Sequence, residues 1–165
     1  EKDRKYLIEG LKDGTIDTIG SDHAPHLLSE KDRPYITSPS GIPSIQQSLS
    51  TVMTVSQEAG IPLTRIAAIF SEKIASMLNI KGRGKLQEGY YADLVIIDPD
   101  EEFIVGNGAG YSKSGSAAIS YKCGWSPYDG IKLKNAIKKV FLNGKPLTDA
   151  ARLISEIPSG KALEF

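Results

Sequence analysis

The run Gly20-Ser21-Asp22-His23-Ala24-Pro25-His26 gathers a carboxylate and two imidazoles within five residues. A carboxylate beside a bound divalent ion can accept a proton from an attacking water and later hand it to a leaving nitrogen. Zinc suits that chemistry because it lowers the pKa of its water to about 7. Pro25 restricts the backbone ahead of His26 and so helps to aim that imidazole. The same residues also allow a plainer structure, a capped turn in which Asp22 accepts backbone N–H bonds and both histidines lie on the surface.

The flanking sequence sets how such residues would be held. Residues 3–13 read as a short helix, with Asp3 as N-cap, Tyr6, Leu7 and Leu11 on one side and Gly14 as the stop. Thr15 to Ile19 alternates and is rich in β-branched residues, the pattern of a short strand. A helix, a strand and then polar residues at the strand's C-terminal end is how (β/α)8 barrels present their chemistry. A hairpin or loop with incidental polar residues is the alternative. Residues 27–41 hold Pro34, Pro39 and the turn signal Ser38-Pro39-Ser40-Gly41, a loop long enough to cover a site. Two helical stretches are expected next. Ile42, Ile45, Leu49 and Val52 mark the first, ending near Gly60. Leu63, Ile66, Ala67, Phe70, Ile74, Met77 and Leu78 mark the second, an apolar stripe that belongs to core packing rather than to a cofactor.

The character changes at Lys81, after which strand and turn patterns dominate. Leu94 to Ile97 is a continuous apolar run between Asp93 and Asp98 and reads as a strand buried on both faces. Residues 106–116, rich in Gly and Ser, read as a loop. Asn143-Gly144 between apolar runs predicts a type I′ hairpin, with Pro146 on an edge strand. The fold class is therefore α/β: the tail of an α/β domain over residues 1–80, then a small β-rich domain over residues 81–165.

Composition narrows the function. Lysine plus arginine equal aspartate plus glutamate at 20 each, so the basic excess of a nucleic-acid binder is absent. The single cysteine, Cys123, excludes an internal disulfide and fits a reducing compartment. No apolar stretch approaches the roughly 20 residues of a membrane span and no signal peptide opens the chain, so a cytoplasmic location is expected. Glu1 in place of Met, leading directly into helical sequence, suggests a processed or excised piece.

The segment GSDHAPH resembles the signature of dihydroorotases within the amidohydrolase superfamily. Downstream, SPSGIPSIQQSL is similar to the family's loop into its last barrel helix. KGRGKLQEGYYADLVIIDP resembles the superfamily's return to its β domain, and WSPYDG and VFLNGKPL resemble its closing segments. The resemblance covers essentially all 165 residues. It implies the C-terminal portion of a TIM-like metal-dependent hydrolase barrel followed by part of a composite β-sandwich. It implies that Asp22 ligates zinc and acts as general base and acid, and that His26 binds the substrate's carboxylate. Ser40 and Gly41 would meet the dihydropyrimidine ring through their backbone. Pro39 has no N–H, so donors there must come from Ser38, Ser40 or Gly41. His23 takes no direct chemical role and is assigned a supporting position.

One departure bears on activity. The family's H-x-H pair, carboxylated lysine, two further histidines and substrate-binding arginine and asparagine are not in this chain. The resemblance places them upstream of Glu1, together with one or two zinc ions. The polypeptide alone is therefore expected to be inactive. A lone half-barrel would expose strand edges and apolar helix faces, so the N-terminal part of the same enzyme or a second copy in a homodimer is the expected partner, beside a small-molecule substrate, dihydroorotate or N-carbamoyl-aspartate. Tyr91 replaces the family's aspartate before Ala92-Asp93, in the β-rich part, where no catalytic cost is expected. Two other readings remain: a dihydropyrimidinase, hydantoinase or allantoinase, which His26 discriminates against, and a non-catalytic dihydroorotase-like subunit.

Overall fold

A computed structural model describes residues 1–106, 118–149, 152–154 and 158–165. The expected loop at residues 106–116 lies outside these, apart from Gly106. Helix α1 (Lys2–Asp13) ends at Gly14, whose φ of 93° is the left-handed conformation that favours glycine. Its core-facing residues are Ile8 and Leu11, while Tyr6 and Leu7 stay exposed.

The segment Thr15–Ile19 carries no strand assignment, contrary to the sequence expectation. A strand is defined by its neighbour, and among the described residues none pairs with it. Side chains hold the segment instead. Arg65 donates to the carbonyls of Leu11 (3.0 Å) and Ile16 (2.7 Å), and Lys73 pairs with Asp17 at 2.8 Å. The approach to Asp22 is thus fixed from the helical stretch that follows the site in sequence.

That stretch comprises α4 (Leu63–Ala67), a π-turn (Ala68–Glu72) and α5 (Lys73–Met77). A π-turn widens the helix by one residue and shifts the phase of any apolar stripe that crosses it. Ile69, outside the expected stripe, is consequently fully buried beside Ile66, while Met77 and Leu78 turn outward. Met53, Ile61, Ile66 and Ile69 form the helical core, each large side chain contributing about 1.5–3 kcal/mol by burial. Helix α3 begins at Ser48 and runs to Glu58. Ile42 and Ile45, expected to open it, lie ahead of it and remain exposed, because the backbone at 42–45 bonds to the Asp22 segment instead of entering a helix. A short α2 (Leu28–Lys31) interrupts the 27–41 loop.

The strands are β1 (Leu94–Asp98), β2 (Phe103–Ile104), β3 (Lys132–Leu133), β4 (Ala136–Leu142), β5 (Lys145–Asp149) and β6 (Arg152–Leu153). They form an antiparallel sheet in the order β1-β4-β5-β6 and a separate β2-β3 pair. β1 is an edge strand with Val95 and Ile96 nearly half exposed, so it is not buried on both faces. A continuous apolar run shows that a strand can be covered, not that it is. Asn143 (φ 50°) and Gly144 (φ 79°) make the expected primed turn between β4 and β5. β5 is interior rather than an edge, since β6 pairs with Thr148 and Asp149, but Pro146 lies beyond that pairing and has no N–H to lose.

Helices and sheet share polar joints. Ser50 Oγ donates to the carbonyl of buried Asn135 (2.9 Å), whose Nδ2 donates to Gln57 Oε1 (3.0 Å). Ile97 of β1 packs on the helical core. Phe103, Val105, Leu133 and Ala136 form a second apolar cluster under β2 and β3.

Candidate functional site

Asp22 has a φ of 44°, a left-handed conformation uncommon for a residue with a side chain, although Asp is among those that tolerate it. Both neighbours are tied to the 41–45 segment. The Ser21 carbonyl accepts from Ser44 Oγ at 2.8 Å, and His23 Nδ1 accepts from the Ser44 N–H at 3.0 Å. His23 and Ile42 form a parallel β-bridge, with the Ala24 N–H donating to the Ile42 carbonyl at 3.0 Å. The Asp22 carboxylate itself is exposed and bonds to no described residue. In particular it accepts no backbone N–H from a described residue, as a capped turn would require.

Gly41 explains how closely the two segments approach. Its φ is 89°, and a Cβ there would lie 2.5 Å from the Ala24 Cβ, a distance only glycine avoids. With His23 Nδ1 accepting from the Ser44 N–H, the ring has only Nε2 left to donate. The ring lies 5.1 Å from that of Tyr121. Tyr121 accepts from the Gln46 N–H (2.8 Å) and donates to Gln47 Oε1 (2.7 Å). Burial pushes the Tyr121 hydroxyl above its ordinary pKa, with the bonds at Gln46 and Gln47 opposing, so it stays a donor.

His26 follows after a tight turn in which its N–H donates to the Ala24 carbonyl. Its carbonyl accepts from Trp125 Nε1 at 2.8 Å, and its Nδ1 stands 3.8 Å from Glu30 Oε2. Ser40 and Gly41 use neither N–H group within the described residues, leaving both donors available. The structure therefore brings the Ser21–Ala24 segment against residues 41–45, and holds His26 separately, with its carbonyl on Trp125 and its ring beside Glu30.

Several participants escaped the sequence reading. Lys31 Nζ donates to the Pro39 carbonyl (2.5 Å) and the Gly41 carbonyl (3.0 Å). Tyr121 and Trp125 reach the site across about 75 and 99 positions of sequence. No spacing rule finds such contacts; only WSPYDG, as a segment resembling the family, drew attention to Trp125.

No three His, Cys, Asp or Glu side chains converge among the described residues. His23 has committed Nδ1 to the Ser44 amide, and a catalytic zinc needs three protein ligands. This chain's residues fit one ligand position of such a centre, Asp22, and do not complete it.

The Asp22 segment, pinned through its neighbours' backbone between two loops, is the candidate site, and comparison with known proteins assigns the family. Residues 1–147 match the amidohydrolase family. The chain belongs to that family. It is 36% identical over 129 residues to a dihydroorotase of Methanosarcina mazei, covering 77% of this chain and 26% of that protein. It is 32% identical over 154 residues to a dihydroorotase of Ehrlichia chaffeensis, covering 93% of this chain and 32% of that protein. Among solved structures, a D-hydantoinase superposes with a TM-score of 0.76 at 26% identity, covering 94% of this chain and 33% of that one. A dihydropyrimidinase from Brevibacillus agri, at 22% identity and TM-score 0.76 over 90% of this chain and 32% of its own, shares the fold. The chain spans between a quarter and a third of the length of these curated relatives. Among the described residues no helix is long and apolar enough to cross a membrane.

Proposed function

We propose that the protein carrying this chain is a dihydroorotase, a cyclic amidohydrolase that reversibly converts dihydroorotate to N-carbamoyl-aspartate in pyrimidine biosynthesis, with Asp22 as its acid–base. The observation that supports this most is the Asp22 carboxylate, exposed and bonded to no described residue, between two neighbours that are each bonded to the 41–45 segment. Backbone held in a sparsely populated conformation around a free polar group is characteristic of sites where the group acts on a ligand.

Asp22 would take one proton from the attacking water as its oxygen bonds to the ring carbonyl carbon. As the C–N bond breaks, the same carboxyl would return that proton to the departing amide nitrogen. A zinc ion held by Asp22 and by ligands outside this chain would supply a water of lowered pKa. The Ser40 and Gly41 N–H groups would meet the ring, and His26 would meet its carboxylate. Residues 1–80 would be the end of a (β/α)8 barrel and residues 81–165 a small β-rich domain, in a cytoplasmic enzyme completed by an N-terminal part or by a homodimeric partner.

The D-hydantoinase superposition supports a second reading, hydrolysis of a cyclic diamide that lacks a ring carboxylate. The assay that separates the two compares dihydroorotate with dihydrouracil and hydantoin on the metal-loaded protein. The dihydroorotase reading predicts that dihydroorotate has the highest kcat/KM and that His26→Ala raises its KM about tenfold or more. Preference for hydantoin, with His26→Ala silent, would transfer the assignment to the second reading.

A further inference from the structure

Two charged side chains of the 27–41 loop bond to the loop's own backbone: Glu30 Oε2 accepts from the Leu27 N–H at 2.7 Å, while Lys31 reaches carbonyls. Its Nζ donates to the carbonyls of Pro39 and Gly41, and its own carbonyl accepts from Ser38 Oγ at 3.3 Å. It sits at the end of α2, only partly exposed. Lys31 therefore closes the segment 31–41 on itself and grips the two carbonyls that flank the Ser40 residue.

The consequence follows from peptide geometry. No peptide bond here is cis, and in a trans peptide the C=O and N–H point in opposite directions. Anchoring the Pro39 carbonyl on Lys31 thus turns the Ser40 N–H away from Lys31. Anchoring the Gly41 carbonyl likewise fixes the peptide that enters the His23–Ile42 bridge. The ammonium also polarises the peptides whose oxygens it binds, strengthening their N–H groups as donors.

We infer that Lys31 is a positioning residue for substrate binding: by holding the Pro39 and Gly41 carbonyls it presents the Ser40 N–H as a fixed donor to an acceptor on the cyclic amide ring. This rests on the proposed cyclic-amide hydrolysis. Lys31 touches no reacting atom, so its removal should weaken binding rather than the proton transfer at Asp22.

The test measures steady-state kinetics with dihydroorotate on the metal-loaded protein carrying this chain, unaltered and with Lys31→Met or Lys31→Arg. Methionine keeps an unbranched stem and removes the donors; arginine keeps a cation that can reach both carbonyls. The expected result is a KM raised about tenfold in Lys31→Met with kcat within about threefold, and a KM largely restored in Lys31→Arg. An unchanged KM in Lys31→Met overturns the inference, as does a loss of kcat matching the loss in kcat/KM, or a Lys31→Arg protein no better than Lys31→Met. If the unaltered protein turns over hydantoin and not dihydroorotate, the dihydroorotase reading fails while the same KM comparison, run on hydantoin, still decides the role of Lys31.

Discussion

Asp22 and Asn143 share a backbone conformation and differ in everything around it. Their φ values are 44° and 50°. Asn143 sits at the tip of the β4–β5 hairpin with its polar groups engaged. Its N–H donates to Asp93 Oδ1 (2.7 Å), its Oδ1 accepts from Arg83 Nη2 (2.9 Å) and its Nδ2 donates to the Ser159 carbonyl (2.6 Å). Arg83 also pairs with Asp93 and stacks 4.2 Å over the Tyr91 ring, which takes Lys161 as well. Asp22 has its neighbours bonded, while its own carboxylate bonds to no described residue. A left-handed residue whose side chain is fully employed closes a structure. The proposed function gives Asp22 the other use: its side chain, bonded to no described residue, acts on a ligand.

The comparison can be broken in the protein carrying this chain. The largest effect on stability is expected from Gly41→Ala, which combines left-handed strain with a Cβ against Ala24. It should cost about 2–4 kcal/mol by thermal or denaturant unfolding. Asn143→Ala should cost about 2 kcal/mol through its lost bonds and leave kcat unchanged, and a fall in kcat would mean that the hairpin clasp is not merely structural. Tyr121→Phe should cost about 1 kcal/mol near neutral pH. Because the folded pKa of Tyr121 is raised, its contribution is complete below the free phenol pKa of about 10 and is lost as pH rises through the higher folded value. Unaltered protein should therefore lose its advantage over Tyr121→Phe in alkaline unfolding curves. The smallest effect has the opposite sign. Asp22→Gly should be as stable as the unaltered protein or more so by about 0.5–1 kcal/mol, since glycine adopts that φ freely.

What the sequence made legible follows the same division. The α1 stop at Gly14, the primed hairpin at Asn143-Gly144 and the helical stretch after Pro62 rest on local rules, and the structure contains all three. Thr15–Ile19 is not a strand, and Leu94–Ile97 is a strand but not covered on both faces, because strand pairing and face coverage depend on what lies alongside. The π-turn inside the stripe left no sequence mark and moved Ile69 into the core in place of Met77 and Leu78. Within the site, residue type alone drew attention to Asp22, His23 and His26. Lys31 was indistinguishable from the other charges of its loop, since what sets it apart is which carbonyls it reaches.

Turnover of dihydroorotate by the metal-loaded protein, compared with its Asp22→Asn form at equal folded concentration, tests the assignment of Asp22 most directly. Asparagine keeps the shape and tolerates the backbone but cannot carry the proton. A kcat lower by about 10²–10⁴, with the melting temperature unchanged, is the expected result. An Asp22→Asn protein that hydrolyses dihydroorotate at the unaltered rate would contradict it.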